Sequence, residues 1–102
     1  MTAEETYFYT TGEEIKEAVK GQLFGKPCFK IENKAFTCFF KNAMVFKLTG
    51  EFHQDALSLD AAELFDLSGK NRPMKEWVQV PFDYKEQWKL FAEQAATYVA
   101  GK

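Results

Sequence analysis

A chain of 102 residues, 46% hydrophobic and 27% charged, is long enough to bury one core without disulfide or metal staples. Its composition excludes a disordered polymer, and no apolar run approaches the roughly 20 residues that a membrane-crossing helix needs. Net charge is only −2, but it is unevenly spread: residues 1–19 carry −4, residues 20–50 carry +5, residues 51–69 carry −5 and residues 70–102 carry +2.

A basic middle between acidic flanks suggests a surface that faces an anion. The competing reading is that the lysines solvate one face and the acidic segments fold back beside them. Eleven of the aromatic residues are Phe, which has no polar handle, so most of these rings belong in a core. The opening Met1-Thr2-Ala3-Glu4-Glu5 is acidic and lacks the apolar stretch of a secretory signal, so the expected compartment is cytoplasmic, with no membrane contact.

Residues 1–11 read as an N-terminal tail, with packing of Tyr7-Phe8-Tyr9 on the body as the open alternative, and residues 12–102 as a single domain. Thr11-Gly12-Glu13-Glu14 has the form of a capping box, with Thr11 at the N-cap and Glu14 three residues on. Ile15, Val19 and Leu23 then recur at helical spacing, and Gly25 and Pro27 close that element. Cys28–Ile31, Ala35–Phe40 and Met44–Leu48 read as three strands, separated by the polar pairs Asn33-Lys34 and Lys41-Asn42. Alternation puts Phe29 with Ile31 on one face, Phe36 with Cys38 and Phe40 on one face, and Met44 with Phe46 and Leu48 on one face. With a turn at Asn33-Lys34, the two cysteines, Cys28 and Cys38, fall on opposite sides of the sheet. A disulfide is then disfavoured, and a one-residue change in the turn reverses that inference.

Gly50 breaks the third strand, and Glu51–Leu57 reads as a short helix. Residues 60–66 fit either a helix or a short edge strand. Residues 68–73 read as a loop, and Lys75–Val80 as a further strand closed by Pro81. Asp83-Tyr84-Lys85-Glu86 looks like a second helix start, and Tyr84, Trp88, Phe91, Ala95 and either Tyr98 or Val99 repeat at helical spacing towards Gly101. The predicted class is α+β: a two-layer sandwich with an antiparallel sheet, helices on one face, and the order α-β-β-β-α-(β)-β-α.

No catalytic constellation stands out. His53 is the single histidine and has no nucleophile or carboxylate spaced to serve it, so a surface role is expected. The cysteines lie on strands, away from the helix N-termini that favour thiolates. Glu51, Asp55, Asp60 and Glu63 lack the alternating oxygen loop of a calcium site, and no metal or cofactor is expected. The chemistry present is basic: Lys26, Lys30, Lys34, Lys41 and Lys47 on the meander, then Lys70, Arg72 and Lys75. Lysines on strands neutralise phosphates, whereas a single arginine and a pI near 5.4 count against base-specific readout. Trp77 and Phe39 are candidates to stack on bases, with core burial as the competing reading.

Leu23-Phe24-Gly25-Lys26-Pro27, Ala35-Phe36, Val45-Phe46-Lys47-Leu48 and Gly69-Lys70-Asn71-Arg72-Pro73-Met74-Lys75-Glu76-Trp77-Val78 together resemble the TfoX (Sxy) N-terminal domain and its MmcQ/YjbR-like relatives, over about residues 12–100. The resemblance implies a secretion-chaperone-like α+β fold and no catalytic residue set. TfoX proteins act in natural competence with a second domain that this chain has no room for, so that role is not carried over. The expectation is a non-enzymatic binding or regulatory module, monomer or homodimer, meeting protein or nucleic acid through a basic surface at Lys26, Lys47, Arg72, Lys75 and Trp77. The alternative is a small-molecule binder or minor enzyme with a pocket between the C-terminal helix and the sheet.

Overall fold

In the computed structural model, which describes residues 2–66 and 74–101, six strands form one antiparallel sheet and three helices cover one of its faces. The elements run α1 (Ala3–Glu13), β1 (Val19–Leu23), β2 (Lys26–Ile31), β3 (Lys34–Phe40), β4 (Ala43–Lys47), α2 (Gly50–Leu57), β5 (Glu63–Phe65), β6 (Met74–Pro81) and α3 (Lys85–Ala100). The sheet order is β1-β2-β3-β4-β6-β5. The class is α+β, and residues 60–66 resolve to the short edge strand β5.

The first four strands form a meander through two-residue turns. Phe24-Gly25, Glu32-Asn33 and Lys41-Asn42 all sit at positive φ, the signature of the type I′ turn whose twist matches that of the strands it joins. Gly25 takes φ of 77° without steric cost, while Asn33 and Asn42 tolerate the same region better than most residues do.

Two expectations for the N-terminal region are corrected. Residues 3–13 are not a tail: they form α1, capped by Thr2, whose Oγ1 accepts the Glu5 N–H at 3.1 Å. Phe8 is fully buried and packs against Phe29 and Phe39, with ring centroids 5.3 and 5.4 Å away. The helix expected from Thr11 to Leu23 is absent. Thr11 and Gly12 lie inside α1, the chain turns through Glu17 at φ 69°, and Val19–Leu23 joins the sheet as β1. The Asp83 cap is also not made: Asp83 sits in a 3₁₀ turn, and α3 starts after Tyr84 with no side-chain cap bond.

The core lies between helices and sheet. Phe8 of α1, Ala56 of α2 and Trp88, Phe91, Ala92, Ala95 and Val99 of α3 pack on Phe29, Ile31, Phe36, Met44, Phe46, Val78 and Val80. Trp88 is completely buried and satisfies its indole N–H by donating to the Pro81 carbonyl at 3.2 Å.

A register shift changes the faces of β3. Phe29 pairs with Thr37 but Lys30 pairs with Ala35, so Phe36 is an extra residue, a β-bulge. Phe36 therefore packs with the helices, while Cys38 and Phe40 point to the other face, contrary to strict alternation. Thr37 is buried on the helix side and donates its hydroxyl to the Val45 carbonyl at 2.7 Å.

Candidate functional site

The face of the sheet that the helices leave uncovered carries the candidate site. Its centre is apolar: Cys28, Cys38, Val45, Phe65 and Trp77 are buried, with Leu23, Ala35, Phe40 and Met74 packed around them. Alternation from Cys28 along β2 puts Lys26 and Lys30 on this face, and alternation from Val45 along β4 adds Lys47. Long side chains of this kind lay their methylenes over apolar surface and keep the ammonium wet. Lys26 lies 5.3 Å from the Phe40 ring centroid and Lys47 lies 6.0 Å from that of Trp77.

Charge is segregated between the layers. Glu4, Glu5 and Glu13 are on α1, Glu51 and Asp55 on α2, and Glu86 and Glu93 on α3, against Lys85 and Lys89. On the helix-free face Glu63 of β5 is the acid that accompanies the three lysines, with Glu76 reaching Lys47. The basic middle and acidic flanks of the sequence thus become a basic sheet face and an acidic helical layer.

The sequence-predicted residues do not all come together. Lys47 and Trp77 are cross-strand partners in β4 and β6. Lys26 sits at the opposite end of the sheet, beside the β1–β2 turn and Phe40. Lys75 is exposed near the start of β6. Arg72 lies outside the described residues, as does the expected loop around it. Trp77 is only 7% exposed, so its ring faces are not free to stack on a base; Phe39 is half-buried and packs under α1 against Phe8.

Lys47 belongs to a polar cluster that sequence reasoning missed. Its Nζ is 3.9 Å from Glu76 Oε1, and Glu76 Oε2 accepts the Tyr98 hydroxyl at 2.7 Å. This ties the end of α3 to β6. Beside it a cavity of about 440 Å³ opens between α3 and the sheet, walled by Lys34, Ala35, Lys47, Trp77, Tyr98 and Val99. A second hollow of about 400 Å³ lies between the end of α1 and α3, flanked by Glu14 and Glu93. The helical spacing of Tyr98 was visible, but its meeting with Glu76, 22 residues earlier, depends on how α3 crosses the sheet.

His53 has a structural partner. Its Nε2 lies 2.7 Å from the Lys75 carbonyl, which only accepts, so Nε2 carries the proton and pins α2 to β6. The cysteines are thiols. Burial raises the Cys28 pKa, with Lys30 opposing. Burial, then the neighbouring Cys28, push Cys38 up to about 12, with Lys26 opposing. Such thiols are poor nucleophiles at neutral pH. Among the described residues no three His, Cys, Asp or Glu side chains gather to hold a metal ion, and no helix is long and apolar enough to cross a membrane.

No family model, curated protein or solved structure matches the chain.

Proposed function

We propose that the chain is a non-enzymatic binding or regulatory module of the TfoX N-terminal type, and that it holds an anionic macromolecule on the helix-free face of its sheet. The observation that carries this reading is the separation of charge by layer: Lys26, Lys30 and Lys47 stand on one sheet face, while the helices behind it carry seven acids against two lysines. An arrangement of this kind steers and neutralises phosphates without reading sequence, because lysine is a point charge rather than a planar fork. Nucleic acid is the partner that best fits a lysine-only face.

Fluorescence anisotropy with short single-stranded and duplex DNA, at low and physiological salt, tests it. Binding should weaken steeply as salt rises, and the triple change Lys26→Glu, Lys30→Glu, Lys47→Glu should abolish it. Lys89→Glu, on the helical layer and ion-paired with Glu14, is the control and should leave binding intact. Absence of binding at low salt, or equal loss in the control, overturns the reading.

The cavity between α3 and the sheet favours a second reading, a small-molecule site with Lys34, Lys47 and Tyr98 as its polar wall. Chemical-shift mapping with a set of small aromatic carboxylates tests that one. Shifts confined to those three residues and Trp77 support it, and no shift at millimolar ligand removes it.

A further inference from the structure

Strand β1 is one margin of the sheet: it pairs with β2 and, among the described residues, has no neighbour on its other side. An open margin presents unpaired N–H and C=O groups, and proteins usually blunt it with Pro, a bulge, an outward charge or a very short strand. The far margin, β5, is blunted in this way, with three residues and a register shift. By contrast, β1 offers five residues in unbroken register with β2 and contains no Pro. Its one charge is drawn away: Lys20 Nζ lies 3.1 Å from Glu13 Oε2 and 5.1 Å from the Tyr9 ring centroid, both on α1.

Gly21 occupies the centre of this strand, where glycine weakens pairing and packs nothing. Its backbone is not left-handed, so φ does not require it. A Cβ there would meet Lys30 Cε at 3.1 Å and Cys28 Sγ at 3.6 Å, and the nearer of these is the far end of a flexible side chain. The fold of one copy therefore gives little reason for glycine. Glycine inside a strand often marks a place where another backbone comes close.

We propose that β1 pairs antiparallel with β1 of a second copy, about a two-fold axis through Gly21, joining two six-stranded sheets into one. The occupant is a second copy because the strand is complementary to itself. In this register Val19 of each copy stands opposite Leu23 of the other, and Lys20 opposite Gln22. Apolar meets apolar, and a cation already held by Glu13 meets a neutral amide, so no like charges face each other. Val19 and Phe24, 64% and 55% exposed, lie at the two ends of β1, and the two-fold brings the Val19 end of one copy to the Phe24 end of the other. Two short strands bury little area, so the dimer is weak and concentration-dependent. The proposal stands on this margin alone and is independent of what the lysine face binds.

Sedimentation equilibrium of the whole chain from about 10 μM to about 1 mM tests it. The mass should climb towards the dimer across that range. Gln22 is exposed, so charge changes there leave the single copy folded, which thermal unfolding at low concentration checks. Gln22→Lys sets a like charge opposite Lys20 twice and should weaken the dimer by several-fold to about thirtyfold, while Gln22→Glu should tighten it by a similar factor. A strict monomer over the whole range overturns the proposal. So does a dimer whose dissociation constant ignores both substitutions, because its interface then lies elsewhere.

Discussion

Cys28 and Cys38 stand directly opposite each other across β2 and β3, on the helix-free face, each 1% exposed and both as free thiols. The expectation from sequence was the reverse. It rested on a turn at Asn33-Lys34 and on unbroken alternation, whereas the turn is Glu32-Asn33 and β3 carries the Phe36 bulge. Facing positions on antiparallel strands are close enough for a disulfide. What restrains the pair is burial, which keeps both sulfurs protonated and out of reach. Ellman's reagent at pH 8 should therefore label neither cysteine in the native chain over a time in which denatured chain reacts fully. Rapid labelling of either thiol under native conditions would show that the face opens readily.

The same burial sets an alkaline limit on stability. The Cys38 thiol moves from an ordinary 9.0 to about 12 on folding. Between those values the unfolded chain loses its thiol proton while the folded chain keeps it, so the unfolded state binds fewer protons and stability falls with rising pH. The contribution is complete below about pH 9 and is lost as pH climbs towards 12. Lysines and tyrosines titrate in the same range, so the useful quantity is a difference. In urea denaturation at pH 8 and pH 10.5, Cys38→Ala should lose less stability on going to high pH than the wild-type chain. An identical loss in both would mean that the thiol titrates normally.

The legible parts of the fold were those with a buried stripe or an alternating run. Helix α3 shows Trp88, Phe91, Ala95 and Val99 on one side, and β3, β4 and β6 are rich in Phe, Val and Trp. Helix α1 buries one large apolar side chain, Phe8, between the partly buried Tyr7 and Tyr9, and fills most of its other positions with acids and threonines, so it has almost no apolar stripe to read. Three Thr-x-x-Glu patterns compete there: Thr2–Glu5 makes the cap, and Thr10–Glu13 and Thr11–Glu14 lie at the end of the same helix. Strand β1 is an edge with Gly at its centre, so it lacks the alternation that marks a half-buried strand. For the site, charge segregation was visible along the chain, and the structure turns it into two layers. The pairing of Lys47 with Trp77 and the reach of Tyr98 to Glu76 were not visible, because strand register and helix crossing leave no local mark.

Treating residues 1–11 as a dispensable tail is a sharp test of α1. Phe8→Ala removes a fully buried ring lodged among Tyr9, Phe29 and Phe39 and should cost about 3–5 kcal/mol. Deleting residues 1–11 should leave the chain unfolded or molten at 25 °C, read as loss of near-ultraviolet circular dichroism. A truncated chain that keeps a cooperative transition of wild-type size would show that α1 is an accessory.

His53 anchors α2 to the backbone of β6 and takes no part in the lysine face. Replacing it by Ala deletes one hydrogen bond and leaves the Lys75 carbonyl to water, since the site is only half-buried. The expected loss is about 0.5–1.5 kcal/mol in chemical denaturation, with the DNA binding proposed for the lysine face unchanged. A large fall in affinity with little change in stability would place His53 in the binding surface instead.

Gly12 gives the most specific test of how α1 docks. Near the end of an exposed helix, Gly→Ala stabilises a protein, because alanine holds helical backbone better by about 1 kcal/mol. Here the sign should invert. Gly12 is buried, and a Cβ built on it runs into the ring of Phe29 on β2. That ring is held on its other sides by Phe8 and Tyr9, so it cannot swing clear without moving its neighbours. Gly12→Ala should therefore destabilise by about 1–3 kcal/mol, the usual range for overpacking a filled core. Phe29→Leu should cost stability alone, yet it makes room for the new methyl, so the double variant should be more stable than the sum of the two losses. Urea denaturation of the four chains measures this coupling directly. Simple additivity, or a Gly12→Ala chain more stable than wild type, would mean that α1 sits further from β2 than this packing allows.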